Sequence, residues 1–167
     1  MLNFKLIEKS DINKFQKYYD NPEGISLTTN ILSAYLWRNE YNIKFALYNN
    51  CLIKAYFNND DSVWGYCLPH GEDIKPAVEE IIKDAGQKPF IVMLTDAQRV
   101  KLETLFPSEF NYEFSPENQE YVYLSEDLIN LSGRKFHAKR NHISKFKNGY
   151  PDYRFEEITN SNKEDAY

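Results

Sequence analysis

Two alternating apolar runs, IKFALY and CLIKAYF, meet across Asn49-Asn50. Asparagine tolerates positive φ better than most residues, so the pair suits a two-residue hairpin turn between them. VWGYCLP then gives a third strand, ended by Pro69. This meander commits the middle of the chain to an antiparallel sheet, which needs other elements to cover its apolar face.

The flanking sequence supplies them. LNFKLIE alternates as a strand, and Ser10 is placed to cap a helix over DINKFQKYYDN with Ile12, Phe15 and Tyr19 inward. Pro22 and Gly24 break it. From Thr28, TTNILSAYLWRNEY gives a second helix with Ile31 and Tyr35, joined by Leu32 and Leu36, on one side. HGEDIKPAVEEIIKDAG is a third, with Ile74, Ala77, Val78, Ile81 and Ile82 inward, Glu79, Glu80 and Asp84 outward, and Gly86 as its stop. The continuous run PFIVMLT predicts a strand buried on both faces, and DAQRVKLETLFP a helix closed by Pro107. FNYEF and EYVYL are expected to pair as strands across SPENQ. SEDLINL is expected as a short helix capped by Ser125, and YRFEEIT as a further strand. Ser161-x-x-Glu164 has the form of a capping box announcing one more helix. The 167 residues suffice for a real core, and the order describes an α/β fold with a mixed sheet and flanking helices.

Charge is distributed unevenly. The chain carries 20 Lys and Arg against 25 Asp and Glu, yet Arg134, Lys135, Lys139, Arg140, Lys145 and Lys147 crowd into GRKFHAKRNHISKFKNGYPDY. Without those six, 14 cations face 25 acids. The overall field therefore excludes nonspecific attraction to nucleic acid or anionic membrane, and any anionic partner must be met locally. Two cysteines without metal or redox spacing, and no apolar leader near the start, give the expectation of a reduced, cytoplasmic protein. The longest apolar runs, such as FIVML, are too short to span a bilayer.

On a helix, Phe136, Ile143 and Phe146 share one side. Lys135, Lys139, Arg140, His142 and Lys145 are left as a cationic surface that suits a phosphate. Pairing with acids or backbone carbonyls of the same fold is the other reading. His137 and His142 are five apart and point about 140° from each other, so they share no metal. No metal site and no catalytic residue is assigned. Asp60-Asp61 reads as turn chemistry, Cys51 and Cys67 as core, and Trp37, Tyr35 and Tyr41 as aromatic core rather than a pocket.

The strand and helix order is that of the GNAT acyltransferase fold. Tyr121, Tyr123, Glu126, Asp127, Leu128, Leu131, Gly133, Lys135, His137, Lys139, Arg140, Asn141 and His142 follow the pattern Y-x-Y-x-x-E-D-L-x-x-L-x-G-[KR]-K-[FY]-H-x-K-R-N-H. This segment resembles the signature of a bacterial family related to the C-terminal region of phosphatidylglycerol lysyltransferase. SLTTNILSAYLWRNEY, with Trp37, is similar to the family's upstream helix. The resemblance implies a tandem of two GNAT-like domains: a first over residues 1–132, a basic linker helix over 133–150, and the start of a second over 151–167. It also implies a transferase of acyl or aminoacyl groups, with acyl-CoA or aminoacyl-tRNA as donor for the full-length protein. The second domain, tRNA, or an anionic lipid or nucleotide would be partners. A GNAT that binds acyl-CoA holds its pyrophosphate on a glycine-rich turn. PHGEDIKP has Gly71 alone, with Glu72 and Asp73 at the helix start, where carboxylates repel a diphosphate and serve as caps. No cofactor is expected in this half, its active cleft is expected mainly in the other, and the alternative is a non-enzymatic, degenerate GNAT module for an anionic partner.

Overall fold

In the computed structural model, β2 (Ile43–Tyr48) and β3 (Cys51–Phe57) pair antiparallel with Tyr48 opposite Cys51. Asn49 and Asn50 take φ of 46° and 60°, the left-handed pair that the turn requires. β1 (Lys5–Leu6) adds to β2 and β4 (Val63–Tyr66) to β3, all antiparallel, in the order β1-β2-β3-β4. Residues 1–20 and 30–166 are described. They divide into two compact units, Met1–Pro116 and Glu117–Tyr167.

In the first unit β3 is the central strand, buried at every residue from Cys51 to Ala55. Cys51, Ile53 and Ala55 face one cluster with α3 (Lys75–Ala85) and α4 (Asp96–Leu105), through Ala77, Val78, Ile81 and Leu102. Leu52 faces the other, with Phe15, Tyr19, Ile31 and Ala34 from the region of α1 (Ile12–Gln16) and α2 (Ile31–Leu36). Each large apolar side chain buried there contributes about 1.5–3 kcal/mol. Lys54 is the charged exception on β3, 2% exposed and engaged within the fold.

Several expectations hold residue by residue. Ile74, Ala77, Val78 and Ile81 are buried, and Gly86 ends α3 with φ 64°. Both cysteines are buried. Asp60 Oδ1 accepts from the Ser62 backbone N–H and hydroxyl, which lowers its pKa and makes it a turn residue.

Others are corrected. The doubly buried strand at PFIVMLT is reduced to a single parallel bridge, in which Tyr66 N–H donates to Phe90 O and Val92 N–H to Tyr66 O. Met93 then enters the left-handed region at φ 58°, which stops an extended run, and the Thr95–Gln98 capping box starts α4. FNYEF, EYVYL and YRFEEIT form no ladder among the described residues. Their alternation marks a face without supplying the partner strand that a sheet needs. The sheet described is therefore antiparallel apart from that bridge.

Glu80 is not on an outer face: it is 8% exposed and takes the Met1 ammonium at 3.0 Å. Asp84 accepts the Leu2 N–H at 2.8 Å. Trp37 and Tyr41 are half exposed and pack on each other at 5.6 Å instead of entering the core, and Leu32 and Leu36 are exposed beside them. Ser10 and Ser125 are not caps. Ser10 lies inside a 3-10 turn closed by Glu8 and Asp11, and Ser125 is the first residue of α5 (Ser125–Asn130). Asn30 caps α2, accepting from the Leu32 and Ser33 N–H groups; Pro22, Gly24 and Thr28 lie outside the described residues. The capping-box pattern at Ser161 leads into a 3-10 turn, Lys163–Ala166.

Candidate functional site

The basic segment belongs to the second unit and is helical from residue 134 to 149, a 3-10 turn over Arg134–Phe136 continuing as α6 (His137–Gly149). Its cations divide into two groups. Lys135 Nζ donates to Asp127 Oδ2 at 2.8 Å, joining the turn to α5. Arg140 uses Nη1 on the carbonyls of Leu131 and of Gly133, the latter at 2.9 Å. Those carbonyls lie where the chain leaves α5, with Leu131 at φ 46° and Gly133 at φ 83°, so the guanidinium closes that helix end. Both residues therefore have structural work.

Lys139, His142 and Lys145 are exposed and take no ion pair or hydrogen bond among the described residues. Three residues apart on a helix, they step by about 60° and share an arc of about 120°. Arg134 and Lys147 are exposed as well, so these three are the part of the cationic surface that shares one arc. Asn141 Nδ2 lies 3.4 Å from His137 Nδ1, so His137 faces a neighbouring amide.

Apolar side chains run beside this arc. Phe146 packs on Tyr150 and on Tyr153, each at 5.2 Å. Ile143, Phe146, Tyr150 and Phe155 remain exposed, as do Tyr121, Val122, Tyr123 and Leu124 before α5. Phe136 alone is buried among the described residues of this unit.

A second concavity, which residue spacing does not reveal, lies in the first unit. It has a volume of about 620 Å³ and collects Lys17, Asn50, His70, Glu72, Asp73 and Lys101. Its walls are tied together. Leu52 and His70 exchange backbone hydrogen bonds at 2.8 and 2.9 Å, and Cys51 Sγ donates to Asp73 O at 3.2 Å. Asp73 Oδ1 accepts the Lys75 N–H two residues on, a turn contact ahead of α3; the N-cap position is Ile74 and has no side-chain cap, so neither Glu72 nor Asp73 takes the capping role expected of them. A Cβ on Gly71 would lie 2.6 Å from Cys51 Sγ, so only glycine lets this turn rest on β3. Burial, aided by the charges of Lys54 and Lys101, pushes the His70 pKa down to about 4. Burial also raises the Cys51 thiol, with Asp73 adding to it. These residues come from four separated segments, and no local motif joins them.

Among the described residues no group of His, Cys, Asp and Glu is placed to hold a metal ion, and no helix is long and apolar enough to cross a membrane.

No curated protein matches the chain. Among solved structures, it is similar to a conserved protein of unknown function from Bacteroides thetaiotaomicron VPI-5482, at 29% identity and a TM-score of 0.76. The likeness covers 99% of this chain and 57% of that one, so the chain spans little more than half the length of this relative. The family described as phosphatidylglycerol lysyltransferase, C-terminal, matches residues 28–166, which takes in the meander, both central helices and the whole basic segment. With that match running through both units, the chain belongs to the phosphatidylglycerol lysyltransferase C-terminal family.

Proposed function

We propose that the chain is the N-terminal half of an acyl- or aminoacyl-transferase resembling phosphatidylglycerol lysyltransferase. In this reading residues 1–132 are a GNAT-like domain, 133–150 a linker helix and 151–167 the opening of a second GNAT-like domain. The family match over residues 28–166 carries the reading. The greater length of the Bacteroides relative supports it. So does the apolar surface of the second unit, which has the composition of a face that another domain covers. The active cleft lies mainly in the other half, the donor is acyl-CoA or aminoacyl-tRNA bound there, and this half works in the cytoplasm as scaffold.

The test is transfer of labelled lysine from lysyl-tRNA, and of acetyl from acetyl-CoA, to phosphatidylglycerol vesicles. A chain extended to the length of the relative transfers one of these groups, and the 167-residue chain transfers neither. Failure of the extended chain with both donors removes the transferase.

Lys139, His142 and Lys145, exposed on one arc, favour a second reading: a non-enzymatic, degenerate GNAT-fold module that binds RNA, a nucleotide or a lipid headgroup. It predicts salt-dependent binding of tRNA or anionic vesicles that Lys139→Glu with Lys145→Glu abolishes. Unchanged binding in the double variant excludes this arc.

A further inference from the structure

The cavity of the first unit has a charge pattern that neither reading uses. Two lysines line it from separate elements: Lys17 from the segment after α1 and Lys101 from α4. Lys101 is itself held by an interaction within the fold. Glu72 and Asp73 reach it from the turn before α3. Among the described residues no ion pair joins Lys17 to either acid, so the lining keeps both signs and sums to zero. A ligand of one sign would face two like charges wherever it sat. A diphosphate meets the two carboxylates, and a simple cation meets the two lysines. A ligand carrying one charge of each sign finds a complement for both.

We propose that this cavity binds a small zwitterion of the amino-acid type, its carboxylate toward Lys17 and Lys101 and its ammonium toward Glu72 and Asp73. The walls suit such a ligand because they are preformed. Backbone hydrogen bonds tie the His70 strand end to β3, the thiol of Cys51 holds Asp73, and Gly71 packs without a side chain, so little ordering is required on binding.

His70 is the reporter. It lines the cavity, and its ring packs at 4.5 Å on Tyr19, whose buried hydroxyl has no hydrogen-bond partner. The charges facing it are Lys54 from β3 and Lys101 from α4, with Glu72 and Asp73 two and three residues along the same turn. A carboxylate arriving beside the lysines offsets their effect, so the imidazole titrates at higher pH when the site is filled.

The experiment is an NMR titration of the histidine ring signals of the 167-residue chain with glycine and with free lysine. Acetate and methylammonium serve as half-ligands. The His70 signal is identified by its loss in His70→Asn. Glycine or lysine is expected to shift the His70 signal saturably at roughly millimolar concentration. Each half-ligand is expected to bind about tenfold more weakly, as are Lys17→Ala and Glu72→Gln toward the amino acids. Both substitutions are at exposed positions, and a ligand-free His70 ring signal at its wild-type place, packed on Tyr19, confirms that the first unit of each variant is folded. No saturable shift with either amino acid overturns the proposal. Acetate as effective as glycine replaces it with a plain anion site, and wild-type binding by both variants removes the assigned groups.

Discussion

Residues 1–116 and residues 117–167 are held together by different means. The first unit hides two apolar clusters on the two faces of β3, and its polar groups serve the edges of that core. The second buries Phe136 and otherwise depends on local links: Lys135 to Asp127, Arg140 to two carbonyls, and the ring stack of Phe146 with Tyr150 and Tyr153. The contrast teaches that an equal substitution should have unequal consequences in the two places. It also places the exposed arc of cations on the unit that has the least core to lose.

The widest separation is expected from truncating matched isoleucines. Ile81→Ala empties a site that is 0% exposed and should cost about 2–5 kcal/mol in denaturant unfolding. Ile129→Ala, at a site 78% exposed, should stay within about 0.5 kcal/mol. Equal costs would break the comparison.

Gly71→Ala forces a Cβ against Cys51 Sγ and, at 3.1 Å, Asn50 O, and should cost about 1–3 kcal/mol. Gly149→Ala, with open space around it, should cost nothing of that kind. Thermal melting of the pair checks this.

Within the second unit, Arg140→Met should cost about 1–2 kcal/mol by leaving the Leu131 and Gly133 carbonyls without their charged donor. Lys139→Met should stay near zero. Amide exchange at residues 131–136 is the sharper readout, since it should accelerate in the arginine variant alone.

A further expected effect is one of pH. The His70 imidazole titrates at about 4 in the fold against 6.5 when free. Between those values the unfolded chain binds more protons than the folded one. The stability that neutral His70 contributes is thus complete above 6.5 and falls as pH drops through that window, by on the order of 1 kcal/mol per pH unit. Unfolding midpoints from pH 7 to 4 should show this slope, and His70→Asn should flatten it.

How far these features were legible follows from how local their causes are. Asn49-Asn50 announces the hairpin because two adjacent residues supply both left-handed positions. The third helix is legible because its apolar period and Gly86 lie in one stretch. The segments 110–114 and 120–124 alternate as strands do, but a ladder depends on a partner distant in sequence, and alternation says nothing about which one. Met93 interrupts an apolar run with a backbone conformation that its side chain does not favour, so no residue preference foretells it. β3 alternates in type yet is covered on both faces, and the burial of Lys54 follows from helices on either side.

The candidate sites divide the same way. The cationic segment was visible as a charge run, and its helical form was expected from its apolar spacing. Which cations stay available was not visible, because Arg140 is engaged by carbonyls that a left-handed Leu131 presents. The cavity around His70 draws on residues 17, 50, 70–73 and 101, and only the packed sheet brings them together.

The double grip of Arg140 bears on how charge-removal experiments around α6 are interpreted. A variant of this residue that lost affinity for a polyanion would have lost the anchor that sets the start of the rod as well as a positive charge. Neutralising it and neutralising Lys145 are therefore unlike perturbations, although a titration of net charge would score them the same.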